Sequence, residues 1–229
     1  MAEIVSAAFR DAITLIRSRI MVYGVFAGLC VLGGFWLPLI HGVGEQPALS
    51  LRLSAAIDMV SLLGGIASFF IFADAARTVR PEFKMTFLKV LGIIGIALAI
   101  IICVEIGLFL FVVPGVFLVV KWSQAIWVYL LDDGKNPFGE SWQITTGQFW
   151  PTLGFLTLIW LANLIPFLFG FFLPAFIAGE VPIIGFLFLP IAFCGYTYAI
   201  AVTALAQLRW MLQLRAGHVA PAITAVVPA

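Results

Sequence analysis

Charge is what this sequence has least of. Asp, Glu, Lys and Arg together make up 10% of its 229 residues, against roughly a quarter in soluble domains, and a chain so poor in charge could not clothe a water-facing surface. Histidine is nearly missing as well. His41 and His218, the only two, lie near the first expected outer connector and close to the C-terminal end, which excludes an HExxH pair, a His-rich metal cluster and a Ser-His-Asp triad. The cysteines Cys30, Cys103 and Cys194 fall in three different apolar runs without CxxC spacing, so neither a disulfide framework nor a thiolate metal site is expected. A P-loop and a dinucleotide fingerprint are also lacking.

What fills the chain instead is apolar: 63% hydrophobic residues, with 22 Phe. Six stretches are long enough to cross about 30 Å of hydrocarbon at 1.5 Å per residue: 20–40, 53–73, 90–113, 114–131, 150–173 and 183–206. They leave no room for a water-soluble catalytic or binding domain. The third is divided from the fourth at Pro114-Gly115, because the unbroken run is too long for one crossing and Pro-Gly marks a turn. The expected fold is an all-α membrane protein. It is a six-transmembrane-helix bundle over 20–210, preceded by an interfacial helix at 1–19 and followed by a cytoplasmic tail at 211–229. Residues 1–19 mix polar and apolar side chains, unlike a cleavable signal, so the N-terminus is expected to be retained.

Orientation follows from where Lys and Arg stand. Ten of them (Arg10, Arg17, Arg19, Arg77, Arg80, Lys84, Lys89, Lys135, Arg209, Arg215) flank the spans on one side, and only Arg52 lies on the other. The positive-inside rule puts that basic side, with both termini, in the cytoplasm. Basic residues scattered over membrane-flanking connectors suit anionic headgroups and not nucleic acid.

Before the first span, Val5, Phe9, Ile13 and Ile16 recur at helical spacing, with Glu3, Arg10, Asp11, Thr14, Arg17 and Ser18 elsewhere. This is the pattern of an amphipathic helix lying on the cytoplasmic membrane surface. Phe138 to Ile144 can be laid over Phe9 to Leu15, and 80–84 is a weaker third copy, which suggests three units of interfacial segment plus helical hairpin.

The block from Val113 to Leu153 is the most distinctive. It holds Pro114-Gly115, then Lys121-Trp122-Ser123, then Asn136-Pro137-Phe138-Gly139-Glu140-Ser141-Trp142, then Thr145-Thr146-Gly147-Gln148-Phe149-Trp150. It resembles the prokaryotic integral membrane family related to the membrane domain of glycerophosphoryl diester phosphodiesterases. The features in common are Pro114, Gly115, Trp122, Ser141, Trp142, Thr145, Gly147, Trp150 and the ending Gln207-Leu208-Arg209. The resemblance implies the six-helix architecture and a place in the prokaryotic plasma (inner) membrane. It does not bring a catalytic domain, since that part of some relatives is a separate soluble barrel.

Three ionisable residues fall inside expected spans: Asp58, Glu105 and Lys121. Counted from a turn at 113–115, Glu105 and Lys121 lie at matched depth, roughly 10–12 Å from the turn, and Asp58 enters from the same side. The three form a candidate intramembrane polar site, read either as an ion pair that sets hairpin register or as a site for a substrate, ion or headgroup. Small faces, Asp58, Ser61, Gly65 and Ser68 on the second span and Gly195, Ala199, Thr203 and Ala206 on the sixth, read as helix packing. Asn163 and Pro166 mark a kink or an interhelical hydrogen bond. The expected function is that of a non-enzymatic integral membrane protein binding membrane lipids or membrane-protein partners. The alternative is a small carrier or channel using the charged layer, with an intramembrane lipid-modifying enzyme third. No cofactor, metal or nucleic-acid partner is expected.

Overall fold

The computed structural model describes residues 1–29, 49–110, 112–132, 136–168 and 182–224, without the side chains at 49–59, 61, 165–167, 182–189 and 218–224. Among the described residues every regular element is helical, and no strand occurs. In chain order these are α1 (Ala2–Ser18), α2 (Ile20–Leu29), α3 (Leu49–Val79), α4 (Phe87–Leu110), α5 (Val112–Trp122), α6 (Ala125–Leu131), α7 (Pro137–Ile144), α8 (Phe149–Phe167) and α9 (Pro182–Thr224).

Among the described residues four helical stretches are long and apolar enough to cross a membrane: Leu62–Val79, Phe87–Leu110, Val112–Leu131 with α5 and α6 taken together, and Pro190–Gly217. A fifth is reached if α1 and α2, bent by 80° at Arg19, count as one broken span. Phe149–Leu164 is apolar but shorter. The expected crossings at 20–40 and 150–173 fall partly outside the described residues. The final helix does not stop near 206, and most of the expected tail is helical as far as Thr224. Its buried face explains the continuation: Leu208, Trp210, Met211 and Leu214 extend the apolar stripe past Arg209, so packing carries the helix beyond the point where hydropathy falls.

The chain divides into two compact units. The first comprises Met1–Val5, Ala75–Ile159 and Leu205–Ala229, and the second Ser6–Asp74 and Trp160–Ala204. Within the second unit, Arg19 makes a two-pronged ion pair with Asp74, Nε to Oδ2 at 3.0 Å and Nη2 to Oδ1 at 3.1 Å, which pins the bend between α1 and α2 to α3. Phe26 packs against Phe70 and Phe193, with ring centroids 6.1 and 6.2 Å away. The Tyr196 ring lies against Gly64, one residue from the Gly65 face that the sequence pattern favours. Asn163 makes the interhelical hydrogen bond, donating to Thr203 Oγ1 at 2.8 Å. On α1, Ala8 and Ala12 are fully buried with Leu15, while Ile13 is 58% exposed. The expected apolar stripe is therefore split. The two alanines let the helix approach protein closely, and the longer Ile13 points away.

The first unit is built around the α4–α5 hairpin. α4 ends at Leu110 and α5 begins at Val112, and Pro114 and Gly115 stand in the first turns of α5, where a proline gives up an N–H that has no intrahelical partner anyway. Gly115 serves the packing of the hairpin. A Cβ added to Gly107 would come within 2.9 Å of the Gly115 Cα, so the two backbones touch. Further along, Tyr129 of α6 lies against Gly92 and donates to the Leu88 carbonyl at 3.3 Å, which continues the same antiparallel register.

These contacts predict opposite signs for two Gly→Ala changes on one helix. Gly107→Ala forces the hairpin backbones apart and should cost roughly 1–3 kcal/mol, the usual range for overpacking. Gly95 has open space around it, so Gly95→Ala should be neutral or stabilising by up to about 1 kcal/mol. Thermal unfolding in detergent checks both, and equal losses would contradict the hairpin register.

Candidate functional site

The distinctive block of the sequence comes together around an interruption in the helical ladder. α5 ends at Trp122 and α6 starts at Ala125, with Gln124 at φ −102° and ψ 0°. A break of this kind frees backbone carbonyls on one side and amides on the other, and burial makes each costly. The Ser123 hydroxyl donates to the Val120 carbonyl at 2.9 Å. The fully buried Ser141 acts in both directions, donating to the Lys121 carbonyl at 2.7 Å and accepting from the Gln124 amide at 3.3 Å. Thr145, also fully buried, places its hydroxyl 2.9 Å from the Ser141 carbonyl. The Ser141 side chain of α7 thus replaces rungs missing between α5 and α6.

The rest of the block holds α7 where it can do this. Asn136 caps its N-terminus, its side-chain oxygen accepting from the Phe138 and Gly139 amides, and Pro137 follows at the first helical position, where its fixed φ suits helix initiation. Gly147 takes φ +77° just after the helix, a left-handed conformation that glycine enters at no steric cost. Trp122 meets Phe138 edge-on at 5.0 Å.

Lys121, in the last turn of α5, is only 6% exposed. Its ammonium donates to Thr146 Oγ1 at 3.2 Å, and that hydroxyl in turn donates to the Trp142 carbonyl at 2.7 Å. The Trp142 and Phe117 rings stand 5.2 and 5.6 Å from the nitrogen, close enough for cation–π attraction. Phe117 also stacks on Phe149 at 5.7 Å, and Phe149 meets Trp150 edge-on.

Of the three ionisable residues singled out in the spans, the structure does not bring Glu105 to Lys121. Counting along both helices from Gly107 opposite Gly115 sets Glu105 level with Phe117 and Lys121 level with Ile101, so the charges are offset by four residues, about 6 Å along the axis. Glu105 is exposed on α4, and no ion pair joins it to Lys121. The Asp58 side chain lies outside the described residues. A cluster that sequence reasoning missed sits elsewhere in the same unit: Arg215 of α9 pairs with Asp132 at the end of α6 and, at 2.7 Å, with Glu140 in the first turn of α7. Its members are separated by 75 and 83 residues, and nothing local signals their meeting. Among the described residues no group of three or more His, Cys, Asp or Glu could hold a metal ion.

Compared with family models, curated proteins and solved structures, the chain matches none of them.

The two hydrogen bonds of the Ser141 hydroxyl give a sharp expectation. Ser141→Ala leaves the Lys121 carbonyl and the Gln124 amide without their side-chain partner and should destabilise by roughly 1–3 kcal/mol, with faster hydrogen exchange at Gln124. Trp150→Ala, at a residue 76% exposed, should change stability by no more than about 0.5 kcal/mol. Similar losses for the two variants would remove Ser141 from the joint.

Proposed function

We propose that this chain is a six-crossing protein of the prokaryotic plasma membrane, with both termini in the cytoplasm, that works by binding membrane lipids or membrane-protein partners and not by catalysis. The observation that carries the reading is the outward apolar surface of α4, where Phe109 is 91% exposed and Ile102 and Ile106 are more than half exposed. A surface of that kind is stable only against acyl chains or another membrane helix. The polar side chains of the distinctive block support the same reading, because Ser141 and Thr145 are engaged with the chain's own backbone and not turned toward a reacting group.

The interfacial role of α1 and α7 belongs to this proposal. It is supported by the 80° bend at Arg19, which would lay α1 along the surface if α2 crosses, and by the exposed Trp142 and Trp150 beside α7, since tryptophan gathers at headgroup level. Membership of the family related to the phosphodiesterase membrane domain is proposed on the same block, in which Ser141, Thr145 and Gly147 each contribute differently to the α5–α7 joint.

Reporter fusions test the orientation. A reporter active only in the cytoplasm should give signal after Arg215 and none at Glu45, and the reverse pattern would overturn it. Isolation in polymer-bounded native membrane discs tests the binding role: lipids or a protein should co-purify in fixed ratio to the chain, and a composition identical to bulk membrane would sink it.

A further inference from the structure

We propose that the outward stripe of α4 is an interface for a second copy of this chain, in which the two Glu105 side chains meet across a two-fold axis along the membrane normal; this rests on the reading that the outward surface of α4 meets lipid or a membrane protein, and it names the partner. The stripe is Leu91, Gly95, Leu98, Ile102, Glu105 and Phe109, spaced four and three residues apart in alternation, which sets them on one face of the helix over about 27 Å. All six are exposed, the four large apolar side chains by 48–91%. Ile93, Ile96 and Gly107 on the opposite face are buried, so the stripe runs along the side of α4 turned away from the hairpin. An alternation of four and three is the spacing at which two helices interlock along a seam, and crossings of that kind predominate in membrane bundles.

Two members of the stripe need more than acyl chains can give. Of the three glycines on α4, Gly92 lies against Tyr129 and Gly107 against Gly115, while Gly95 has nothing within 4 Å of the place where a Cβ would stand. Glycine in a helix interior is costly relative to alanine. Close contacts compensate at Gly92 and Gly107, and a second backbone at Gly95 supplies the same. The Glu105 carboxylate, for its part, has no ion pair or hydrogen bond among the described residues, and lipid tails offer it nothing. An unrelated helix would need a donor at that one depth, whereas a copy of this chain brings its partner by symmetry, because the axis sets each residue of the seam level with its own counterpart. Two carboxyl groups meeting in this way share one proton, the O–H of one donating to the oxygen of the other. Glu105 stands five residues from the end of α4, so in a single chain its long side chain can stretch toward the membrane interface. The single chain is therefore viable and the association reversible.

The test uses the full chain, labelled at its N-terminus with a donor or an acceptor dye and reconstituted into phosphatidylcholine vesicles, with energy transfer followed as the protein-to-lipid ratio rises. Transfer should follow a monomer–dimer curve. Glu105→Val, which takes a carboxyl out of an apolar stripe and should fold at least as well, should weaken association roughly tenfold, the scale of an interhelical hydrogen bond in a membrane. Glu105→Gln keeps a hydrogen-bonding pair and should retain most of the affinity. Gly95→Ile fills a place that is open in the single chain, so it should not lower the Tm in dilute detergent yet should weaken association by at least as much. Trp160→Ala, at an exposed residue of α8 off the stripe, should leave association unchanged. Transfer no greater than chance at high density, association undiminished in Glu105→Val or Gly95→Ile, or an equal loss in Trp160→Ala would overturn the proposal. Any of these results could occur while native discs still show selected lipids or another protein in fixed ratio, so the self-association can fail without the broader reading failing with it.

Discussion

Between Trp122 and Ala125 the helical ladder of an otherwise apolar stretch is interrupted, and no water is at hand in such surroundings to take up the freed carbonyls and amides. Each one left unpaired would cost on the order of the whole net worth of a hydrogen bond or more. Ser141 meets that demand from α7, with the Thr145 hydroxyl at its end 3.4 Å from the same Lys121 carbonyl, and the position of α7 is then no longer free. It has to begin close enough to the end of α6 to reach back, which the Asn136 cap and Pro137 arrange, and to end soon after, which Gly147 arranges with a left-handed turn. The start of α8 follows from the end of α7. A single gap in backbone hydrogen bonding therefore determines the course of some thirty residues.

The second constraint is the contact between Gly107 and Gly115. Two backbones in contact leave little freedom to slide, since a shift of one residue would bring a side chain into the seam. The register so set separates Glu105 from Lys121 and gives the lysine to α7 instead. The consequence reaches function: a carrier built on a layer of Asp58, Glu105 and Lys121 requires charges at one depth, and the two whose side chains are described stand at different depths. Glu105 lies five residues from the end of α4 at Leu110, about 7.5 Å, within the distance over which a long side chain can reach the interface. Lys121 is too far from that end to do the same.

How much of this was legible beforehand differs from element to element. The apolar helices were, because a lipid solvent leaves a coarse mark: long runs without charge need no tertiary information to be read. The split of one long run into α4 and α5 was also legible, but its position was not. Pro114-Gly115 has the composition of a turn, and the same two residues suit the first turns of a helix and a close helix contact equally well, so local chemistry could not decide whether they lie in the turn or inside α5. On α1 the four-residue spacing of Val5, Phe9, Ile13 and Ile16 was visible, yet the face chosen for packing is set by Ala8 and Ala12, whose small size matters only once a neighbour is known. Ser141 and Thr145 stood out as part of a family-like block, while what they do could be seen only when α7 was placed against the break in α5 and α6. The Arg215 cluster left no trace, because charge pairs between distant segments have no sequence period.

That cluster bears on the topology argument in a way that strengthens it. Arg215 is engaged by Asp132 and Glu140, Arg19 by Asp74, and Arg80 by Glu82 and the Leu131 carbonyl. These three belong to the ten basic residues expected on the cytoplasmic side, and a net-charge count would discount them for their acidic partners. The rule, however, acts on unfolded connectors as they meet the membrane, before any partner from 55 or 83 residues away is in place, and acidic residues contribute little to it. Arg19 and Arg215, whose acidic partners lie that far away, can therefore serve twice in sequence, first as charges that hold a connector on one side of the bilayer, then as ion pairs that tie Arg19 to α3 and α9 to α7.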